Sequence, residues 1–182
     1  MNSRSNRGFT LIELLAVISI MGVLIAIGVP SFRTFVAGRA VTGHVSEIAS
    51  AMRLARAEAI KRGAPVTLCR TTEPDSDEPS CSSGDWTTGW VIFVDRGTQG
   101  QFNAETDQVV QVHGPVTNSG GITRSGSASI TFLPSGVATG AAGSFTFLPT
   151  LPEGDANFAR LRRVVCVNFV GSTRMSTTGT CS

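Results

Sequence analysis

The sequence contains no tyrosine, a single lysine (Lys61) and only two histidines, His44 and His113. Charged residues make up 15% of its 182 positions, well under the ~25% usual for soluble domains. The chain is therefore no disordered polyelectrolyte, and part of it is expected to avoid water. The histidines have no metal-ligand spacing, so each is assigned a surface or packing role. No nucleophile–base pair, Walker loop or dinucleotide fingerprint occurs, and neither an enzyme nor a cofactor is expected. The stretch Asp95 to Asn103, with Glu105 and Asp107, has the rhythm of a calcium loop. Gly97 and Gln99 fill its alternate positions poorly, so a solvated turn without metal is expected. Fifteen basic against thirteen acidic residues give a formal charge of +2, which does not by itself mark a nucleic-acid binder. What the chain has in quantity is arginine, ten phenylalanines, twenty glycines and eight prolines. Such a content predicts many turns, as in a small β-rich domain.

The N-terminus carries the strongest signal. Met1 to Gly8 is polar and basic through Arg4 and Arg7, and an almost unbroken apolar run follows from Leu11 to Val29. As a helix this run spans ~29 Å, about one bilayer core. The run is full length and no small-x-small cleavage site follows it, which separates it from a secretory signal peptide. The basic side precedes the run, so residues 1–8 stay cytoplasmic and the rest is exported. A plain single-pass anchor meets these conditions too, except for Glu13. A carboxylate entering hydrocarbon costs several kcal/mol unless paired, and no Lys or Arg inside the apolar run can pair with it. Cleavage between Gly8 and Phe9 would supply the cation, a new α-amino group four residues before Glu13.

The segment from Arg7 to Leu14, RGFTLIEL, resembles the class III signal of type IV pilins and type II secretion pseudopilins. The resemblance implies a prepilin peptidase cutting after Gly8 and methylating the Phe9 amine, with Glu13 pairing with a neighbouring subunit's terminal amine during assembly. Further on, Ala57 to Arg62, Val66 to Cys69, Trp86 to Asp95 (WTTGWVIFVD), Ile130 to Gly136 and Arg162 to Val165 resemble the GspH/FimT group in that group's order. That likeness implies an α+β, pilin-like fold, with a long N-terminal helix (its first half transmembrane) packed on a small antiparallel β-rich globular domain. The implied division is a cleaved leader at 1–8, a transmembrane and assembly helix at 9–36, and a periplasmic helix plus β-domain at 37–182. The implied role is a minor type IV pilin of the inner membrane, active in pilus assembly and DNA uptake. The alternative is the minor pseudopilin H of type II secretion, with secreted exoproteins as partners. Prepilin peptidase and other major and minor pilins or pseudopilins are the remaining implied partners.

Pro30 interrupts the helical pattern and is expected to kink or locally melt it. Beyond it, Val41, Val45, Ile48, Met52, Ala55 and Ala59 form one apolar stripe, with Arg39, His44, Glu47, Arg53, Glu58 and Arg62 on the other faces. Gly63 and Pro65 end the helix. Strand-like runs follow at 66–70, 89–95, 109–113, 129–133, 144–148 and 163–170, and they predict an antiparallel meander. The Gly/Ser/Thr-rich piece 117–129 reads as a loop or irregular edge.

Four cysteines in an exported domain predict disulfides. Of three pairings, sequence proximity favours Cys69–Cys81 and Cys166–Cys181; closing a loop of this size contributes ~3 kcal/mol in the chain-entropy model. After Asp155 the chain carries Arg160, Arg162, Arg163 and Arg174 and no acidic side chain. Clustered arginine suits phosphate contact, so these four are candidate contacts to double-stranded DNA, against an ordinary solvated edge. Members of the resembled group that bind DNA carry GRxR on a C-terminal loop. Here the stretch is Gly171-Ser172-Thr173-Arg174, in which Ser172 replaces the first arginine. Strand alternation is expected to split Arg162 and Arg163 between opposite faces.

Overall fold

Helix α1 (Leu11–Arg62) runs fifty-two residues without interruption in the computed structural model, which describes residues 9–176 and 179–181. Pro30 lies inside it; of the kink or local melting expected there, the melting is absent. The proline removes one N–H donor only, and the turns on either side keep theirs. Its own carbonyl accepts the Thr34 hydroxyl at 3.1 Å. Gly63 ends the helix at φ +61°, the left-handed conformation that closes helices without a Cβ penalty.

The chain divides into two compact units, one ending at Val36 and one starting at Ala37. In the first, every apolar side chain from Leu11 to Val36 is exposed, and the helix is long and apolar enough to cross a membrane. In the second, α1 buries Ala37, Val41, His44, Ile48, Ala51, Met52, Ala55 and Ala59. Steps of three and four carry this stripe around the helix at 3.6 residues per turn. Val45, one residue off the stripe, is only half-buried, whereas His44, expected on another face, is buried.

Among the described residues nine strands follow: β1 (Val66–Arg70), β2 (Trp90–Val94), β3 (Gln108–His113), β4 (Gly121–Ser125), β5 (Ser129–Phe132), β6 (Ala138–Thr139), β7 (Gly143–Leu148), β8 (Arg163–Val167) and β9 (Thr173–Ser176). A short helix α2 (Phe158–Leu161) precedes β8. The strands form two antiparallel sheets rather than one meander, in the orders β3-β2-β1-β5-β6 and β4-β7-β8-β9. The segment expected to be a loop at 117–129 contains β4, which pairs along its whole length with β7 and sends Ile122 into the core. Val167 ends β8 three residues early, because Asn168 starts a tight turn: its Oδ1 accepts the N–H groups of Val170 and Ser172. Arg162 is accordingly not a strand residue but closes α2.

Val41, Ile48 and Met52 of α1 join Leu68, Ile92 and Phe132 of the first sheet and Ile122, Phe145 and Val165 of the second in one core. Cys69, Val91 and Phe93 face the other side of the first sheet, under Cys81 and Phe102. Disulfides join Cys69 to Cys81 and Cys166 to Cys181.

Arg124 on β4 fastens the turns around the second sheet. Its guanidinium lies over the Phe145 ring at 5.2 Å and donates to the carbonyls of Ser127, Gly140 (2.7 Å) and Ala141 (3.1 Å). Burial pushes its pKa down to about 10, so it stays charged at neutral pH. Stability is expected to rise only as pH passes from about 10 towards the unfolded value, because deprotonation there relieves the buried charge. Arg124→Ala strips three carbonyls of a charged donor and is expected to cost about 2–3 kcal/mol in denaturant unfolding.

Candidate functional site

The helix start has a built geometry. The Thr10 N–H and the Thr10 hydroxyl both donate to Glu13 Oε2 at 3.0 Å, and the Glu13 N–H donates to Thr10 Oγ1 at 3.3 Å. This reciprocal pair is a capping box: Thr10 is the cap residue and Glu13 sits three positions on. The Leu14 N–H closes the first turn onto the Thr10 carbonyl at 3.2 Å. The box satisfies orphan donors at the helix start and sets the carboxylate beside the positive end of the helix dipole. Phe9, directly before it, is 93% exposed. Gly8 and the arginines before it lie outside the described residues. Sequence reasoning had Glu13 but missed Thr10, although the T-x-x-E spacing was there to read.

The C-terminal arginines divide. Arg163 is half-buried and donates to the carbonyls of Arg160 (2.5 Å) and Arg162 (3.0 Å), so its guanidinium holds the end of α2. Arg160, Arg162 and Arg174 are exposed. Arg174 stands opposite Cys166 on the β8–β9 pair. Arg162 and Arg174 line an open groove of about 920 Å³ with Ser144, Thr146, Cys166 and Phe169, and no carboxylate borders it among the described residues. Gly171, the glycine of the GSTR stretch, has a packing reason to be glycine. Its φ is +69°, and a Cβ there would meet the Phe132 ring at 2.6 Å.

In the loop considered for calcium, two of the carboxylates hold the surrounding chain. Asp107 accepts the N–H groups of Arg96, Gly97 and Asn103, and Asp95 accepts the Thr67 hydroxyl and the Gly100 N–H. The two histidines, unrelated by spacing, meet at one residue. Glu47 Oε2 lies 3.1 Å from His44 Nδ1 and 3.9 Å from His113 Nε2, and the His113 ring stacks on Trp90 at 3.8 Å. Only the i, i+3 step from His44 to Glu47 could have hinted at this.

Residues 44–171 match the family described as Type II transport protein GspH, and residues 3–29 match the prokaryotic N-terminal methylation motif. A fimbrial protein of Pseudomonas aeruginosa is 40% identical over 68 residues, which are 37% of this chain and 44% of the relative. The chain thus spans less than half the length of that relative. The type IV narrow pilus major component PilA5 of Thermus thermophilus is 35% identical over 101 residues, 56% of this chain and 82% of PilA5. Among solved structures, the type IV minor pilin FimU of Pseudomonas aeruginosa aligns with a TM-score of 0.49 and 14% identity, covering 77% of this chain and 90% of FimU. The minor pseudopilin EpsH of the Vibrio cholerae type 2 secretion system gives 0.46 and 13%, covering 77% and 98%. With the methylation motif at its start and the matching domain behind it, the chain belongs to the GspH family of pilin-like proteins.

Proposed function

We propose that this chain is a minor subunit of a type IV pilus, made as a precursor and held in the inner membrane by the first part of α1. Residues 1–8 are the leader, 9–36 the membrane and assembly helix, and 37–182 the periplasmic part. A prepilin peptidase cuts between Gly8 and Phe9 and methylates the Phe9 amine. Glu13 then pairs with the terminal amine of a neighbouring subunit as the helices stack. The observation that carries this reading is the Thr10–Glu13 capping box at the head of an exposed apolar helix. A carboxylate in that setting stays in hydrocarbon only with donors at its own depth. Thr10 supplies them within the subunit, and a neighbour's amine would supply a full charge.

The match to Type II transport protein GspH favours a second reading, a pseudopilin that contacts secreted exoproteins. Deleting the gene separates the two. Loss of surface filaments with secretion intact is expected, and loss of secretion with filaments intact would replace the first reading by the second. DNA uptake is part of the pilus reading through Arg160, Arg162 and Arg174; Arg163 is spent on α2. A chain carrying Arg162→Ala and Arg174→Ala is expected to restore filaments to the deletion strain while leaving DNA uptake impaired.

A further inference from the structure

Strand β3 is an edge of the first sheet, and nothing in its sequence guards that edge. QVVQVH has no lysine, no proline and no charged side chain, the usual devices that keep an edge from pairing. Its one irregularity lies towards the Gln108 end, where the register against β2 shifts between Ile92 and Phe93, leaving Val110 without an assigned partner. The stretch Gln111–His113 is regular and open. Val109 and Val112, on the face away from α1, are 39% and 40% exposed.

The other side of this edge opens on a channel. Along β3, helix α1 presents Gly43, Ser46, Glu47 and Ser50, which with Gln111 and His113 border a groove of about 480 Å³. Small residues on the helix hold it open beside a strand whose outer backbone groups have no pairing strand among the described residues. Glu47, its side chain 43% exposed, is the single carboxylate bordering the groove and sits by His113. Outside the groove, at the Gln108 end of β3, Arg62 is ion-paired with Glu58 and donates to Gln108 Oε1 at 2.8 Å. The charge that the groove itself offers is therefore acidic, Glu47 at its His113 end. Both histidines approach the same Glu47 oxygen, so an incoming cation can meet the exposed remainder of the carboxylate.

We infer that β3 and this groove form a docking site for an extended segment of another protein, which pairs with the edge as an added strand and carries a basic side chain to Glu47. Main-chain pairing supplies the attachment, and alternate side chains supply the selectivity. The segment's inward face carries Arg or Lys near His113. Its outward face is β-branched and continues the apolar strip of Val109 and Val112. The site is separate from Glu13 and from the arginine groove, and it stands or falls independently of the filament reading.

The test uses the full chain in detergent micelles and three labelled peptides read by fluorescence anisotropy. The first is acetyl-Thr-Val-Arg-Val-Thr-Val-amide, the second has Glu in place of Arg, and the third is the first with alternate backbone nitrogens methylated. The chain is slightly basic overall, so long-range attraction favours the Glu peptide and works against the expected order. The Arg peptide is expected to bind about fivefold tighter than the Glu peptide, the size of a partly exposed ion pair. Glu47→Gln should bring the two within about twofold, while methylation should weaken binding at least about tenfold on the unaltered chain. The inference is overturned by no saturable binding of the Arg peptide, by equal binding of the Arg and Glu peptides, or by full binding of the methylated one. It is equally overturned if sedimentation finds a dimer whose formation blocks binding of the Arg peptide, since a second copy would then occupy the edge.

Discussion

Glu13→Ala chains are expected to be cut and methylated normally, yet to be nearly absent from sheared filaments, at less than roughly a tenth of the wild-type level. A desolvated charge pair that loses one partner costs about 2–5 kcal/mol, well over the ~1.4 kcal/mol of a tenfold change. In the proposed filament the carboxylate's partner belongs to another subunit, so the loss falls on assembly. The proposed cut, at the Gly8–Phe9 bond, does not need that pair. Thr10 gives the contrast: Thr10→Val removes the hydroxyl that donates to Glu13 and accepts from its N–H, but leaves the Thr10 N–H in place. An intermediate defect is expected, and Thr10→Ser should restore incorporation. Immunoblots of sheared and membrane fractions, with mass spectrometry of the mature N-terminus, measure both steps. Wild-type levels of Glu13→Ala in filaments would remove Glu13 from assembly.

What could be read from the residues was whatever depends on near neighbours. The α1 stripe follows from 3.6-residue spacing, its end from Gly63, and the cores of β1, β2 and β5 from β-branched and aromatic runs between turn residues. What stayed hidden depends on distant pairing. Strand β4 is Gly/Ser/Thr-rich and holds together only because β7 supplies its partners in register. Partition into two sheets follows from β5 returning to β1 instead of pairing with β4, a choice that no local pattern encodes. His44 and His113 lie on different elements and reach Glu47 only once α1 lies beside β3. Arg163 reads as a surface charge until α2 forms and offers carbonyls. At the N-terminus Glu13 stood out as a lone carboxylate in an apolar run, whereas its partner Thr10, three positions earlier, went unread.

The join between the sheets gives the largest stability effect. Asp85 caps the 3-10 turn Trp86–Thr88; its Oδ1 accepts the N–H of Thr87 and that of Ile122 on β4, both at 2.9 Å. Its carbonyl accepts Arg70 Nε at the end of β1. One residue thus ties both sheets to the turn that carries Trp86. That indole is 1% exposed and meets Phe145 of β7 edge-on at 5.0 Å, with Trp90 of β2 at 6.5 Å. Trp86→Ala is therefore expected to cost about 3–5 kcal/mol, since packing on both sides is set by the surrounding strands and cannot collapse into the space. Against a native stability of about 5–15 kcal/mol this is a large share, and it corresponds to a fall in Tm of roughly 10–15 °C for a unit of this size. Trp86→Phe keeps the edge contact and should cost less than half as much. Hydrogen exchange should then quicken first in β4, whose Ile122 N–H is held from the Asp85 side. A Trp86→Ala loss below about 1 kcal/mol would mean that the sheets are joined through α1 and not through this turn.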